Sequence, residues 1–368
     1  MALTRAAAAT VESLEVGAYT VPTDRPESDG TLEWDSTTLV LVEVEAGGAT
    51  GLGYTYGDVA VRTLIESRLV EAVIGSDPLL PSATWTSMRK ALRNVGQQGV
   101  GAMAVSAIDI ALWDLKAKLL GVSLADLLPR HHARVPVYGS GGFTSYSNGE
   151  LGDQLGRWID CGLRAAKIKV GREPARDLDR LRTSRSAVGP NVELMVDANG
   201  AYDRKQALDW AQRFAEFGVT YFEEPVSSDD LEGLRLLRDR APAGMAIAAG
   251  EYGWDPPYFQ RLLDAGAVDV LQADVTRCGG ITALLAVDGL CKARGVPFSA
   301  HCAPAISAHA GCAVETLAHL EYFHDHVAIE RRLFDGVLRP EQGHLEPDRS
   351  RLGLGLELRR PDATEFTV

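Results

Sequence analysis

Between Ala133 and Ala318 short apolar runs recur along the chain, and each ends in a polar residue near a Gly, a Pro or a turn. Leu194-Met195-Val196 runs into Asp197, Tyr221-Phe222 into Glu223, and Ala246-Ile247-Ala248-Ala249 into Gly250-Glu251. The three acids lie 26 and 28 residues apart. Each interval holds one strand, one helix and two loops. The same beat appears upstream in Ala165-Ala166-Lys167-Ile168-Lys169. It continues downstream in runs ending at Asp274, at His301 and, in His319-Leu320-Glu321, at Glu321. With Val135 to Gly139 as a first strand, the pattern predicts a (β/α)-barrel with polar residues at the ends of strands two to eight. Amphipathic stretches such as Arg204 to Glu216 and Asp229 to Arg240 fill the gaps as helices.

The pattern before Ala133 is different. Residues 11–57 read as strands, with Gly47-Gly48 and Gly51 as turns. Thr20 to Gly30 is charged and rich in Pro, and reads as a long loop that is either a mobile lid or plain surface. Residues 58–130 read as helices. The strongest is Ala102 to Leu120, with Val105, Ile108, Leu112, Leu115 and Leu119 on one face. Gly121 stops it, and Ser123 caps a short helix before Pro129. The expected organisation is an α+β domain (1–130), an α/β TIM-type (β/α)-barrel (131–335) and an irregular C-terminal segment (336–368).

Composition narrows the function. At 368 residues the chain is long enough for two domains with a buried core. Its net charge of −13 argues against nucleic acid as a partner. No apolar run reaches a membrane span. The start, Met1 to Arg5 and then alanines, is too short and too weakly apolar for a secretory signal. The five cysteines show no CxxC pair and read as reduced thiols of a cytoplasmic protein. Cys302 follows His301 and reads as a small structural residue rather than a nucleophile.

Three carboxylates at the same end of consecutive barrel strands converge on one point and repel one another. Asp197, Glu223 and Glu251 therefore predict a hard divalent cation. A single such acid would more often be structural; three in phase are not easily explained that way. Two lysines at i and i+2 are commonly one solvated face, but on strand two of a barrel Lys167 and Lys169 face the same interior.

These residues together resemble the enolase superfamily, in its mandelate racemase branch, over nearly the whole chain, and the resemblance implies an α+β capping domain (1–130), an α/β modified TIM (β/α)-barrel (131–335) and a C-terminal segment (336–368) that returns to the cap. Ser106-Ala107-Ile108-Asp109-Ile110-Ala111-Leu112-Trp113-Asp114 is similar to the branch's cap-helix signature. Lys167-Ile168-Lys169, Asp197-Ala198-Asn199, Glu223-Glu224-Pro225, Gly250-Glu251, Asp274 and His301 match in order and spacing. Glu321 stands where mandelate racemase has a functional Glu, without a distinctive motif around it. Sites of this superfamily are known for a Lys or His base with Mg²⁺ stabilising an ene-diolate, and that general precedent is what the resemblance carries over.

The resemblance implies Mg²⁺ on Asp197, Glu223 and Glu251. It implies Lys169 as a base whose pKa a neighbouring cation must lower, and Lys167 as a charged partner of the developing oxyanion. His301 would be a second base or acid, oriented by Asp274. Glu321 would be an acid kept protonated by burial. Asn199 either binds substrate or makes a turn, and Arg25 either meets a distal carboxylate or stays in solvent. His309, His319, His324 and His326 read as structural. The expected substrate is a small carboxylic acid. The polar 20–30 segment favours dehydration of an acid sugar to a 2-keto-3-deoxy acid. The alternatives are a racemase or epimerase of 2-hydroxy acids and, in another class, a catalytically idle ligand-binding barrel. The resemblance also implies a homo-oligomer.

Overall fold

The computed structural model describes residues 9–368, and the reading of the first residues lies outside them. Strands β1 (Ser13–Ser28), β2 (Glu33–Ala46) and β3 (Ala49–Tyr56) form an antiparallel meander. The helix Val100–Leu120 lies across it. Its contact face is set by β3, where a Cβ on Gly51 would stand 2.1 Å from the Ala111 carbonyl and one on Gly53 2.2 Å from that of Ala107. Only glycine lets the helix come this close. Gly121 ends the helix with φ of 73°, and Ser123 caps the following turn by accepting from the Asp126 N–H.

Eight parallel strands follow: β4 (Val135–Gly141), β5 (Ala165–Lys169), β6 (Glu193–Asp197), β7 (Val219–Glu223), β8 (Ala246–Ala249), β9 (Val270–Ala273), β10 (Phe298–Ala300) and β11 (Leu317–Phe323). Each pairs with the next, and β11 pairs with β4, so the barrel closes. Helices fill the crossovers. One of them, Arg204–Ala215, opens with a capping box between Asp203 and Gln206. The lumen below the polar strand ends is filled by Tyr138, Met195, Tyr221 and Ala248. It is a packed core, and substrate has room only at the C-terminal mouth.

The 20–30 segment corrects the loop expected from sequence. It is strand nearly to its end, paired with β2, with the register shifting between Pro22 and Glu27. Proline is tolerated at such a shift because no ladder N–H is required there. Glu27, Ser28 and Asp29 are buried. The turn after β1 stands over the barrel mouth, with Trp34 donating to Asp325 Oδ2 at 2.9 Å. At the other end of the chain, His344–Leu345 pairs with the start of β4. Thr20 N–H then bonds the Phe366 carbonyl and Val368 N–H that of Ala18. Among the described residues no helix is long and apolar enough to cross a membrane.

Candidate active site

The strand ends carry the site because the pleat alternates. On β5 both Lys167 and Lys169 point inward, with Ile168 between them in the outer core. Asp197 and Glu223 are the last residues of β6 and β7. Glu251 stands just past β8, reached through Gly250, whose φ of 135° and a would-be Cβ 2.1 Å from the Gln272 carbonyl leave no room for another residue. Asp274 and His301 each follow their strand by one position, and Glu321 lies within β11.

Asp197, Glu223 and Glu251 are buried and offer carboxylate oxygens that all lie within 4.8 Å of one another. Glu223 Oε1 has no hydrogen-bond partner among the described residues. Burial and then Asp197 push its carboxyl well above the usual range. An orphaned buried oxygen among oxygen donors fits a hard divalent cation.

The lysines are tied to these acids. Lys167 Nζ donates to Glu223 Oε2 at 2.6 Å and lies 2.8 Å from Glu321 Oε1. Lys169 Nζ donates to Asp197 Oδ2 at 2.5 Å. Burial works against the charge on Lys169, but Asp197 outweighs it, and its pKa stands above the ordinary value. Asp197 by itself holds the amine as a cation, so the lowered pKa expected from sequence requires Asp197 to be engaged by a metal. Glu321, expected as a protonated acid, is shifted in the opposite direction. Burial would raise its carboxyl, but Lys167 and then His301 hold it well below the usual range. Its Oε1 accepts from Ser140 Oγ at 2.5 Å.

His301 Nδ1 pairs with Asp274 Oδ2 at 2.8 Å. The other Asp274 oxygen accepts from Thr276 N and Thr276 Oγ1, both at 2.7 Å. The ring is thereby fixed with Nε2 toward the mouth, 3.2 Å from Glu251 Oε2 and 3.3 Å from Glu321 Oε2. Burial opposes the imidazolium. With Cys302 kept protonated by its own burial, it is Glu321, Glu251 and the bond to Asp274 that raise His301 well above its ordinary value.

A cavity of about 510 Å³ opens on Lys169, Glu251, His301, Glu321 and Asn199. Its walls include Asp29 and Trp34 from the cap, Tyr252 and Arg277 from the barrel loops, and Asp325 and His326 from the helix His324–Leu333. Asn199 has φ of 47° and a buried Oδ1 with no partner among the described residues. Arg25 is not part of the cavity. It is half-exposed, pairs with Glu150 and sits 5.4 Å over the Tyr146 ring, so its guanidinium is already engaged away from the mouth. Glu224, Cys302 and Ala303 join Asn199 at positive φ. Strained non-glycine residues thus cluster where strands end at the site. Arg277 and Tyr252 escaped sequence reading because they come from loops without a period, and Trp34 because it stands at the start of β2 in the cap, far in sequence from the barrel. Glu224 was readable in Glu223-Glu224-Pro225.

Residues 16–129 match the N-terminal domain model of mandelate racemase and muconate lactonizing enzyme, and residues 150–363 match the enolase C-terminal domain-like model. Over 365 residues the chain is 31% identical to 3,6-anhydro-alpha-L-galactonate cycloisomerase of Streptomyces coelicolor, covering 95% of this chain and 98% of that one. A mandelate racemase/muconate lactonizing enzyme-like protein from Rubrobacter xylanophilus superposes with a TM-score of 0.96 at 65% identity, covering 98% of this chain and all of that one. The L-talarate/galactarate dehydratase of Salmonella typhimurium, crystallised with Mg and L-lyxarohydroxamate, superposes with a TM-score of 0.90 at 28% identity, covering 98% and 93% of the two chains. With both halves matched in order, the chain belongs to the mandelate racemase/muconate lactonizing enzyme branch of the enolase superfamily.

Proposed function

We propose that the chain removes the proton α to the carboxylate of an acid sugar and expels the β-oxygen, acting as a Mg²⁺-dependent dehydratase. One observation carries this reading: an amine (Lys169) and an oriented imidazole (His301 on Asp274) open on the same cavity as Glu251, one of three convergent acids. Asp197, Glu223 and Glu251 would hold Mg²⁺, which supplies Lewis-acid stabilisation of charge developing on the substrate carboxylate.

Lys169 takes the α-proton at Nζ. It acts as a base only when neutral, so Asp197 must first be engaged elsewhere than on Nζ. Lys167 stays charged between Glu223 and Glu321 and stabilises the enolic oxygen. The electron pair left on the α-carbon forms the double bond to the β-carbon as the β-oxygen departs. His301 protonates that oxygen from Nε2, with Asp274 steadying the ring, so water leaves and the enol tautomerises to a 2-keto-3-deoxy acid. Glu321 holds Lys167 and His301 in place. Asn199, with its free Oδ1, is the chain's candidate for a substrate hydroxyl.

The full-length likeness to a cycloisomerase supports a second reading. In a 3,6-anhydro acid the β-oxygen is a ring ether, and the same two residues would open the ring without loss of water. Purified enzyme with Mg²⁺ is to be screened against acid sugars, their lactones and anhydro acids for 2-keto acid product. The dehydratase reading expects product lighter than substrate by one water, and loss of activity in Lys169→Ala and His301→Asn. Product of unchanged mass supports ring opening. Deuterium entering the α-position in D₂O without any keto product would replace both with racemisation.

A further inference from the structure

We propose that His301, Cys302 and Glu321 form a second metal site, one for a thiophilic divalent cation such as Zn²⁺, beside the all-oxygen site of Asp197, Glu223 and Glu251. The three donors form a nearly equilateral triangle. Cys302 Sγ is 3.3 Å from His301 Nε2 and 3.4 Å from Glu321 Oε2, and the imidazole nitrogen is 3.3 Å from that same oxygen. Bond lengths of about 2.0–2.1 Å to nitrogen, 2.3 Å to sulfur and 2.0–2.2 Å to oxygen at tetrahedral angles put ligand atoms about 3.3–3.6 Å apart. The side chains therefore already stand at the separations a Zn²⁺ ion requires. The cation would sit slightly off their plane, with its fourth position toward the cavity that all three residues line.

Each donor is also held from behind. His301 Nδ1 is bonded to Asp274 at 2.8 Å, the carboxylate–histidine arrangement that orients zinc ligands. The far oxygen of Glu321 is taken by Ser140 Oγ and Lys167 Nζ. Cys302 has φ of 51°, and its carbonyl accepts from Ser307 Oγ at 2.7 Å, which holds the backbone from which its side chain projects. The two sites differ in chemistry. Three carboxylates suit Mg²⁺, whereas an imidazole, a thiol and a carboxylate suit Zn²⁺. Binding releases the thiol proton of Cys302 and the Nε2 proton of His301 to solvent. The proposal stands on this geometry and not on the reaction assigned above. Its consequence is that Nε2, once ligated, carries no proton, so Zn²⁺ silences any chemistry that uses it.

The test is to titrate Co²⁺, as a spectroscopic stand-in, into the Mg²⁺-saturated protein and then to displace it with Zn²⁺. The expected result is one equivalent bound with a near-ultraviolet sulfur-to-cobalt charge-transfer band that Zn²⁺ removes. Cys302→Ser should abolish the band and weaken Zn²⁺ binding by calorimetry at least about tenfold, and Cys302→Ala should do the same. Cys161→Ser, at the exposed thiol, and Glu223→Gln should both keep the band. A wild-type protein without the band, a band that survives Cys302→Ser, or a band lost with Glu223→Gln would overturn the proposal.

Discussion

At the scale of single residues the site is a chain of mutual restraints, and Asp274 shows how much rests on one of them. One of its oxygens is filled by Thr276, and the other faces His301 Nδ1. An amide in its place presents either an acceptor of lower basicity or an N–H that drives the imidazole into the wrong tautomer. Asp274→Asn is therefore expected to lower kcat by about 10²–10⁴-fold with KM little changed. The measurement is a pair of pH–rate profiles. The variant should also lose the limb that reports His301, because a charged partner no longer supports the imidazolium. A profile of unchanged shape with only reduced amplitude would mean that Asp274 is structural.

At the scale of elements, the barrel was legible because its strands end in chemistry at a regular interval. Asp197, Glu223, Glu251, Asp274 and His301 all stand at the mouth, and the order could be read from spacing alone. The 20–30 segment was not legible. Its polarity and prolines are those of a loop, but its pairing partner on β2 lies beyond the intervening turn, and its buried acids have meaning only against the far end of the chain. Glu27 is the clearest case. It is buried beside Asp325, near Tyr146 and Asp24, and its Oε2 meets no hydrogen-bond donor among the described residues. Burial, then the facing Asp325, pushes it from an ordinary 4.5 up to about 10. Between those values the folded chain keeps a proton that the unfolded chain releases. This contribution to stability is therefore full below 4.5 and falls as pH rises toward 10. Glu27→Gln removes the ionisation and should flatten the decline in Tm between about pH 5 and pH 9. Equal slopes for the variant and the parent would mean that the β1 carboxyl does not govern the effect.

On the scale of the whole molecule the cap and the barrel share one site. Asp29 and Trp34 wall the cavity from the cap, while Lys169 and His301 wall it from the barrel. Asp114 on the long cap helix accepts from Leu52 N on β3 at 2.7 Å and from Leu354 N in the tail at 2.6 Å, so one buried carboxylate joins three parts of the chain. Anything that binds only the folded site must therefore stabilise the assembly as a unit. Three crowded acids in a buried mouth are relieved by a cation, and the unfolded chain does not hold them together. Mg²⁺ at about 100 times its Kd is expected to add about 2.7 kcal/mol to unfolding, read as a rise in Tm that EDTA reverses. Glu223→Gln should blunt that rise, since it removes one charge from the trio and replaces a carboxylate oxygen with an amide. Lys169→Ala, which removes a competing cation from Asp197, should keep the rise or enlarge it. The opposite signs matter: a rise that persists undiminished in both variants would mean that Mg²⁺ acts on the surface and not through these acids.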